Sequence, residues 1–361
     1  MKKIKTTIVF ALLFTLSTPI YAQVGKQKWP NIINKSEPAW FATAEAKAVA
    51  ENVLLYQRNI GGWPKNTQMQ IPLTEVEKQK LIVFKTETKE LTTDNKATTQ
   101  EMLFLSKMYA KTPDERYKTA FLAGFDYLLK AQYDNGGWPQ FYPLKKGYYT
   151  HITYNDDSMA NILNVLKQCI DKTDYYSIKP SETTLEKAKK AFDKGIECII
   201  KSQYKQNGVL TAWCAQHDEV TLLPANARAY ELASLSGKES AKIVLLLMSI
   251  ENPSPEIITA VNSAVIWFEK TKITNLREER VAVANSKIME KVMVKDANAE
   301  PLWARFMELS DNTPFFCDRD GIKKSSITEI GQERRVGYSW YTNEPKEVLK
   351  KFPAWKKKRN L

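Results

Sequence analysis

The feature that most limits what this chain can fold into is a repeated octapeptide. Gln57-Arg58-Asn59-Ile60-Gly61-Gly62-Trp63-Pro64 returns 75 residues later as Gln132-Tyr133-Asp134-Asn135-Gly136-Gly137-Trp138-Pro139. A fainter third copy begins at Ser202-Gln203-Tyr204, 71 residues beyond the second, and reaches Asn207-Gly208. Glycines in such a place stop a helix by taking the left-handed conformation, and the following Trp-Pro packs down and redirects the chain. A unit that recurs at this spacing predicts similar supersecondary pieces that share one core.

The stretches between the copies read as helices. Residues 97–110 carry Met102, Leu103, Leu105, Met108 and Tyr109, and residues 115–131 carry Ala120, Phe121, Phe125, Leu128 and Leu129. Both sets match a period near 3.6. The same period runs through 157–170 (Met159, Ile162, Leu163, Val165, Leu166, Ile170) and 181–203 (Leu185, Ala188, Phe192, Ile196, Ile199, Ile200). Ser254-Pro255-Glu256 supplies an N-cap, a proline at the first helical position and an early acid, and opens another helix. Each period therefore holds two helices. Three such hairpins around an axis predict a mainly α fold, an incomplete (α/α)3 toroid, with a plain helical bundle as the alternative. After Thr271 the texture changes: 287–294 suggests a strand, 314–321 a loop, and a short helix lies near 344–351. The C-terminal part is thus expected to be small, loop-rich and partly β.

Lys2, Lys3 and Lys5, the apolar run from Ile8 to Leu16 and the small residue after Tyr21 make residues 1–22 a signal peptide, with Gln23 as the mature start. The expected location is secreted or periplasmic. Residues 23–361 form one catalytic domain, whose part up to about residue 90 has room to be a smaller lobe. The formal charge is +12, and cleavage would leave +9. A basic secreted protein meets nucleic acid, a membrane surface or an acidic polymer. The one basic run, Lys356-Lys357-Lys358-Arg359, reads as a solvated tail, so neither nucleic acid nor stable membrane insertion is expected. Four cysteines, Cys169, Cys198, Cys214 and Cys317, are too few for a disulfide scaffold. One or two bridges could form, and the helix-borne Cys169 and Cys198 also suit buried apolar positions.

Chemistry-bearing residues gather in five windows: Thr93-Asp94-Asn95, His151 to Ser158, Thr211 to Glu231, Trp303-Ala304-Arg305 and Phe315 to Gly321. Helix ends in a toroid line a shared cleft, so these distant windows can meet. Asn155-Asp156-Asp157-Ser158 opens an apolar helix. One carboxylate suffices to cap it, which leaves the other free for a hard cation. Asp94 with Asn95 has the same ambiguity. The two histidines, His151 and His217, sit in no zinc spacing, and no G-x-S-x-G supports a serine triad. Ser236-Gly237-Lys238 lacks the upstream glycine of a P-loop. Arg228, Arg305 and Arg319 lie among aromatic residues. They suit either surface pairing or a clamp on carboxylates, which guanidinium grips in a fork.

At this point the sequence resembles the polysaccharide lyase family 10 pectate lyases. The resemblance rests on Gly61-Gly62-Trp63-Pro64-Lys65-Asn66, Thr93-Asp94-Asn95, Asn135-Gly136-Gly137-Trp138-Pro139-Gln140 and Ile152-Thr153-Tyr154-Asn155-Asp156-Asp157. It continues through Trp213-Cys214-Ala215-Gln216-His217-Asp218, Pro224 to Glu231, Phe315 to Gly321 and Glu333-Arg334-Arg335, from about residue 50 to about residue 341. It implies an (α/α)3 toroid with an open cleft that uses Ca²⁺ to cleave de-esterified polygalacturonate by anti β-elimination. Arg228 then matches the catalytic base. Asp156, or its neighbour Asp157, matches the calcium-contacting acid. Asp94, with Asn95 beside it, matches an acid that positions metal and substrate, and Arg305 and Arg319 match substrate-binding arginines. On this reading a galacturonate carboxylate is neutralised, its C5 hydrogen becomes acidic and Arg228 removes it. Nearby cations would lower the pKa of Arg228. A monomer is expected.

Two other readings compete. A toroidal glycoside hydrolase would use Asp94 and Asp156 as acid and base and leave saturated products. A non-catalytic carbohydrate-binding protein would use its nine tryptophans as platforms. A terpene-cyclase-like toroid needs an acidic motif that Asp156-Asp157-Ser158 does not complete.

Overall fold

The computed structural model describes residues 25–283 and 288–360, so the signal peptide expected at residues 1–22 and the mature start expected at Gln23 lie outside the described residues. Eleven helices follow in order among them: α1 (Trp29–Lys35), α2 (Ala44–Tyr56), α3 (Glu75–Val83), α4 (Thr99–Lys111), α5 (Glu115–Ala131), α6 (Ser158–Ile170), α7 (Glu182–Ser202), α8 (Gly237–Met248), α9 (Pro255–Thr271), α10 (Gln332–Gly337) and α11 (Pro345–Lys357). The helices predicted at 97–110, 115–131, 157–170 and 181–203 form within a residue or two of their expected ends, and Ser254 caps α9 through its hydroxyl as its position implied.

The pairs α4–α5, α6–α7 and α8–α9 pack as three consecutive hairpins. Helices α4, α6 and α8 touch in sequence as one ring, and α2, α5, α7 and α9 as a second. Burial tells the rings apart. Nine of the 12 residues of α8 are buried, against nine of the 21 in α7. The first ring is therefore the inner one, and the result is the incomplete (α/α)3 toroid. Helix α1 joins the same apolar core through Trp29, Ile32 and Ile33. It is fixed by the Trp29 indole, which donates to the buried Glu101 carboxylate at 2.7 Å. Burial pushes Glu101 up to about 7.

The repeat works through two side chains per copy. The Gln57 amide nitrogen donates to Gly61 O in its own turn (2.9 Å) and to Ala120 O in α5 (2.7 Å). Gln132 does the same to Gly136 O and to Ala191 O in α7, and Gln203 to Thr211 O and to Ala260 O in α9. Each glutamine thus ties the end of one outer helix to the middle of the next. The tryptophan indoles bind backwards: Trp63 to Val53 O in α2 and Trp138 to Leu128 O in α5, both at 2.8 Å. Gly61 and Gly136 have φ of +104° and +92°. A Cβ there would sit 2.1 Å from Ala123 O and 2.0 Å from Lys194 O, so only glycine fits.

The structure extends the repeat beyond what the sequence pattern displays. Trp213 donates to Ile199 O in α7 and Trp303 to Phe268 O in α9, which makes four equivalent indoles. Insertions hide the last two. A hairpin of Lys205–Gln206 with Val209–Leu210 lengthens the third turn, and a long ribbon of Leu276–Ala282 with Met289–Lys295 lengthens the fourth. The ribbon contains the expected strand and a partner strand not foreseen. The segment expected as loop at 314–321 contains the short strand Phe316–Cys317, paired with Lys323–Lys324. The final helix runs to Lys357, beyond the expected 351. All four cysteines are free and buried. Among the described residues no helix is long and apolar enough to cross a membrane.

Replacing Gln57 with Leu should leave two buried carbonyls, Gly61 O and Ala120 O, without their donor. The expected loss is about 2–4 kcal/mol of stability, read as a lower urea midpoint at unchanged m-value.

Candidate active site

The site is assembled where the inner helices begin. The turns before α4 and α6 are built alike. Asn95 has φ, ψ of 52°, 31° and is followed by Lys96 at φ 67°; Asp156 has 50°, 33° and is followed by Asp157 at φ 64°. Two adjacent left-handed residues without a glycine are strained, and Asn and Asp bear that conformation best. Surrounding contacts hold it. The buried hydroxyls of Thr93 and Ser158 meet at 2.6 Å and join the two turns. Asp94, also buried, accepts from Lys65 (2.5 Å) and from the Gln140 amide (2.9 Å). Lys65 and Gln140 are the residues that follow the first and second Gly-Gly-Trp-Pro, so both copies of the repeat deliver a side chain to Asp94. Asn95 donates to Asn66 at 3.0 Å.

Asp156 lies in a four-charge cluster. Its carboxylate accepts from Lys238 at 2.8 Å and from Asn155 at 2.8 Å, with the Arg305 guanidinium 3.5 Å away. Arg305 donates to Asn155 Oδ1 (2.8 Å) and to the fully buried Glu239 (3.0 Å), which stands 3.7 Å from Lys238. Two cations and two anions therefore balance. Burial opposes the charge on Asp156, but Lys238 and Arg305 overcome it and hold the carboxyl below its ordinary range. Glu239 is lowered against its burial in the same way, by Arg305 and Lys238. Asp157 differs: burial pushes it up to about 6, and its Oδ1 is buried without a hydrogen-bond partner.

From Arg305 the network continues outward. Its guanidinium lies 4.8 Å over the Tyr338 ring, and the Tyr338 hydroxyl reaches Glu231 at 3.3 Å. Glu231 forks Arg228, accepting from Nε at 2.7 Å and from Nη2 at 2.5 Å. Backbone bonds from Ala227 N to Glu231 O and from Glu231 N to Arg228 O close a tight turn that sets Arg228 at its corner. Arg228, Arg319 and Arg334 all lie over the Tyr230 ring, at 5.1, 5.3 and 4.6 Å. Arg319 is exposed, donates to the Tyr230 hydroxyl and is forked by Glu333.

The sequence windows thus converge. Asp94, Asn95, Asp156, Asp157, Arg305, Arg228 and Arg319 belong to one connected network of contacts. Lys65, Tyr230, Glu231 and Arg334 lie in stretches singled out from the sequence but received no role there, and Lys238, Glu239 and Tyr338 were not foreseen as parts of it. Lys238 and Glu239 begin α8 just after Gly237, in the segment rejected as a P-loop, and only the fold shows that this helix start faces Asp156. One electrostatic expectation is corrected. Arg228 is raised, not lowered, because its hydrogen bonds to the Glu231 carboxylate outweigh its burial.

The histidines stay apart from this chemistry. His217 is buried, accepts from Cys214 N–H and donates to Leu222 O, and burial pushes it down to about 4. His151 pairs with Glu219 at 2.8 Å. Among the described residues, the group of His, Cys, Asp or Glu ligand atoms within 4.8 Å of one another is His151, Asp218 and Glu219, which contains neither Asp156 nor Asp157. Those two acids still fit a calcium ion by donor type, since both offer hard oxygen and Asp157 Oδ1 lacks a partner. They supply only part of the six to eight oxygens that calcium takes. The remainder would come from a carboxylated ligand and water.

The family described as pectic acid lyase matches residues 57–349. Two solved structures are similar. A family 10 polysaccharide lyase from Cellvibrio cellulosa is 35% identical, with a TM-score of 0.74, over 90% of this chain and 94% of that one. A single-residue variant of a family 10 polysaccharide lyase from the same organism, in complex with trigalacturonic acid, is 34% identical, with a TM-score of 0.74, over 90% and 95%. No curated protein matches.

Replacing Glu239 with Leu would leave Lys238 and Arg305 facing Asp156 alone. The expected cost is about 3–5 kcal/mol, as for a broken buried pair, measured by chemical denaturation.

Proposed function

Because the chain belongs to the pectic acid lyase family, we propose that this polysaccharide lyase is a secreted, calcium-dependent enzyme that cleaves polygalacturonate by anti β-elimination, with Arg228 as the base. The observation that carries this reading is the joining of Arg228, Arg305 and Arg319 to Asp94 and Asp156 through one network of contacts at the starts of the inner helices. A polymer with one carboxylate per sugar would meet the exposed guanidinium groups of Arg228 and Arg319 there, and forked bonds suit that partner. The signal peptide that precedes Gln23 supports export.

The residues divide the work. Arg305 is clamped by Asn155 and Glu239, so it presents a fixed positive charge that needs no reorganisation as negative charge grows on the substrate. Arg319 is exposed, and a substrate carboxylate would take the place of Glu333 on its fork. Asp94, held by Lys65 and Gln140, gives the adjoining wall a fixed acceptor. Asp156 and Asp157 would hold the calcium ion, which when bound neutralises the uronate carboxylate beside the reacting carbon. Arg228 takes the C5 hydrogen as a proton. It must be neutral to do so, and Glu231 opposes that, so turnover should rise toward alkaline pH.

A hydrolase fits less well. The family match speaks against it, and Lys238 with Arg305 keeps Asp156 ionised and so unfit to be the acid of a pair with Asp94.

Replacing Arg228 with Ala should lower kcat on the order of 10²–10⁴-fold, with KM near that of the wild type. The wild type should release ultraviolet-absorbing unsaturated oligogalacturonates, and a chelator should stop it. Saturated products, or equal turnover in chelator, would overturn the reading.

A further inference from the structure

The fork on Arg228 is one-sided. Glu231 takes Nε and Nη2, and among the described residues Nη1 has no hydrogen-bond partner. The burial is also one-sided: the Glu231 side chain is 12% exposed and that of Arg228 47%. The acid is therefore the anchored member and the guanidinium the presented one. Glu231 is itself fixed, by the tight backbone turn from Ala227 and by the Tyr338 hydroxyl. The Tyr230 ring closes one face of the guanidinium. With Nε, Nη2 and one face occupied, a single nitrogen remains open.

We infer that Glu231 is the positioning residue of the elimination, holding Arg228 so that Nη1 alone faces the C5–H of the substrate. This inference rests on Arg228 being the base. The step balances as follows. Nη1 of the neutral guanidine takes the C5 proton, and the C5–H electron pair becomes the second bond between C4 and C5. The C4–O bond breaks, its pair stays on the leaving oxygen, and that oxygen is protonated from solvent. The guanidinium formed on Arg228 is stabilised by the Glu231 carboxylate.

The same contact sets the pH dependence. The reactive form is neutral Arg228, so the rate rises with pH through the Arg228 pKa. Glu231 raises that pKa, hence removing its charge must move the rise to lower pH. The other groups around the pair are Tyr230 beneath Arg228, Arg319 and Arg334 on that same ring, Tyr148 and Tyr338 beside both, and Arg305 on the Glu231 side. None of these supplies another carboxylate that could replace Glu231.

The test compares pH profiles of kcat for the full chain, the wild type, Glu231→Gln and Glu231→Asp, on polygalacturonate with calcium. Glu231→Gln removes the charge and keeps one acceptor. Its alkaline rise should move down by about one pH unit or more, with KM little changed. Glu231→Asp keeps the charge but draws the carboxylate back by one methylene and breaks the fork. Its kcat should fall on the order of 10²-fold, and its rise should move down less than that of Glu231→Gln because the charge remains. Equal losses at every pH in both variants, with no displacement of the rise, would overturn the inference and leave Glu231 a structural role. Full turnover by Arg228→Ala would instead remove the base assignment beneath it, a result read without reference to where the rise falls.

Discussion

Each of Gln57, Gln132 and Gln203 shares one amide nitrogen between two backbone carbonyls, one in its own turn and one in the next outer helix. These carbonyls lie where helices end or pass in close contact, and buried carbonyls without donors are costly. The bond therefore does more than cap a helix: it fixes the spacing of neighbouring hairpins. The indoles of Trp63, Trp138, Trp213 and Trp303 hold each turn against the helix just completed. With both ends of every turn tied, the inner helices must start at the same end of the toroid, and the polar turns that precede them are brought together.

That convergence creates an electrostatic problem, which the site solves by balance. Asp156 and Glu239 face Lys238 and Arg305 in a partly dry setting, where removing one partner is much worse than removing the set. The balanced cluster keeps Arg305 charged and motionless, and a rigid charge is what a developing enolate-like anion needs. Asp157 stands outside this balance with an unpartnered oxygen. The outer group around Tyr230 is organised differently. Two of its guanidinium groups, those of Arg228 and Arg319, are exposed and forked by acids that a substrate carboxylate resembles, whereas Arg334 is buried beneath them. One end of the site is thus fixed in advance, and the other can exchange its partners.

The helical toroid was legible because its apolar residues recur at 3.6 and its turns repeat Gln, Gly and Trp. The third turn was legible only from Gln203 to Gly208 and the fourth not at all, since the inserted hairpins separate Gln203 from Trp213 and Phe268 from Trp303 by lengths that break the visible period. Asp94 and Asp156 come together because both precede inner helices, while Arg228, Arg305 and Arg319 reach them from later loops and from the end of a short strand. Lys238, Glu239 and Tyr338 stayed hidden for a physical reason: each looks like an ordinary helix-start or loop residue until the fold places it beside Asp156, Arg305 or Glu231. The expected lowering of Arg228 failed for a related reason. The sequence displays the cations, but not that Glu231, three residues on, folds back onto the same guanidinium.

The central claim is that the bond broken first joins hydrogen to C5 and that a guanidine receives that hydrogen. The most direct measurement is the single-turnover rate on oligogalacturonate deuterated at C5, compared with the protiated compound. The account predicts a clear primary isotope effect together with an unsaturated product. Equal rates for the two substrates, accompanied by a saturated product, would contradict it.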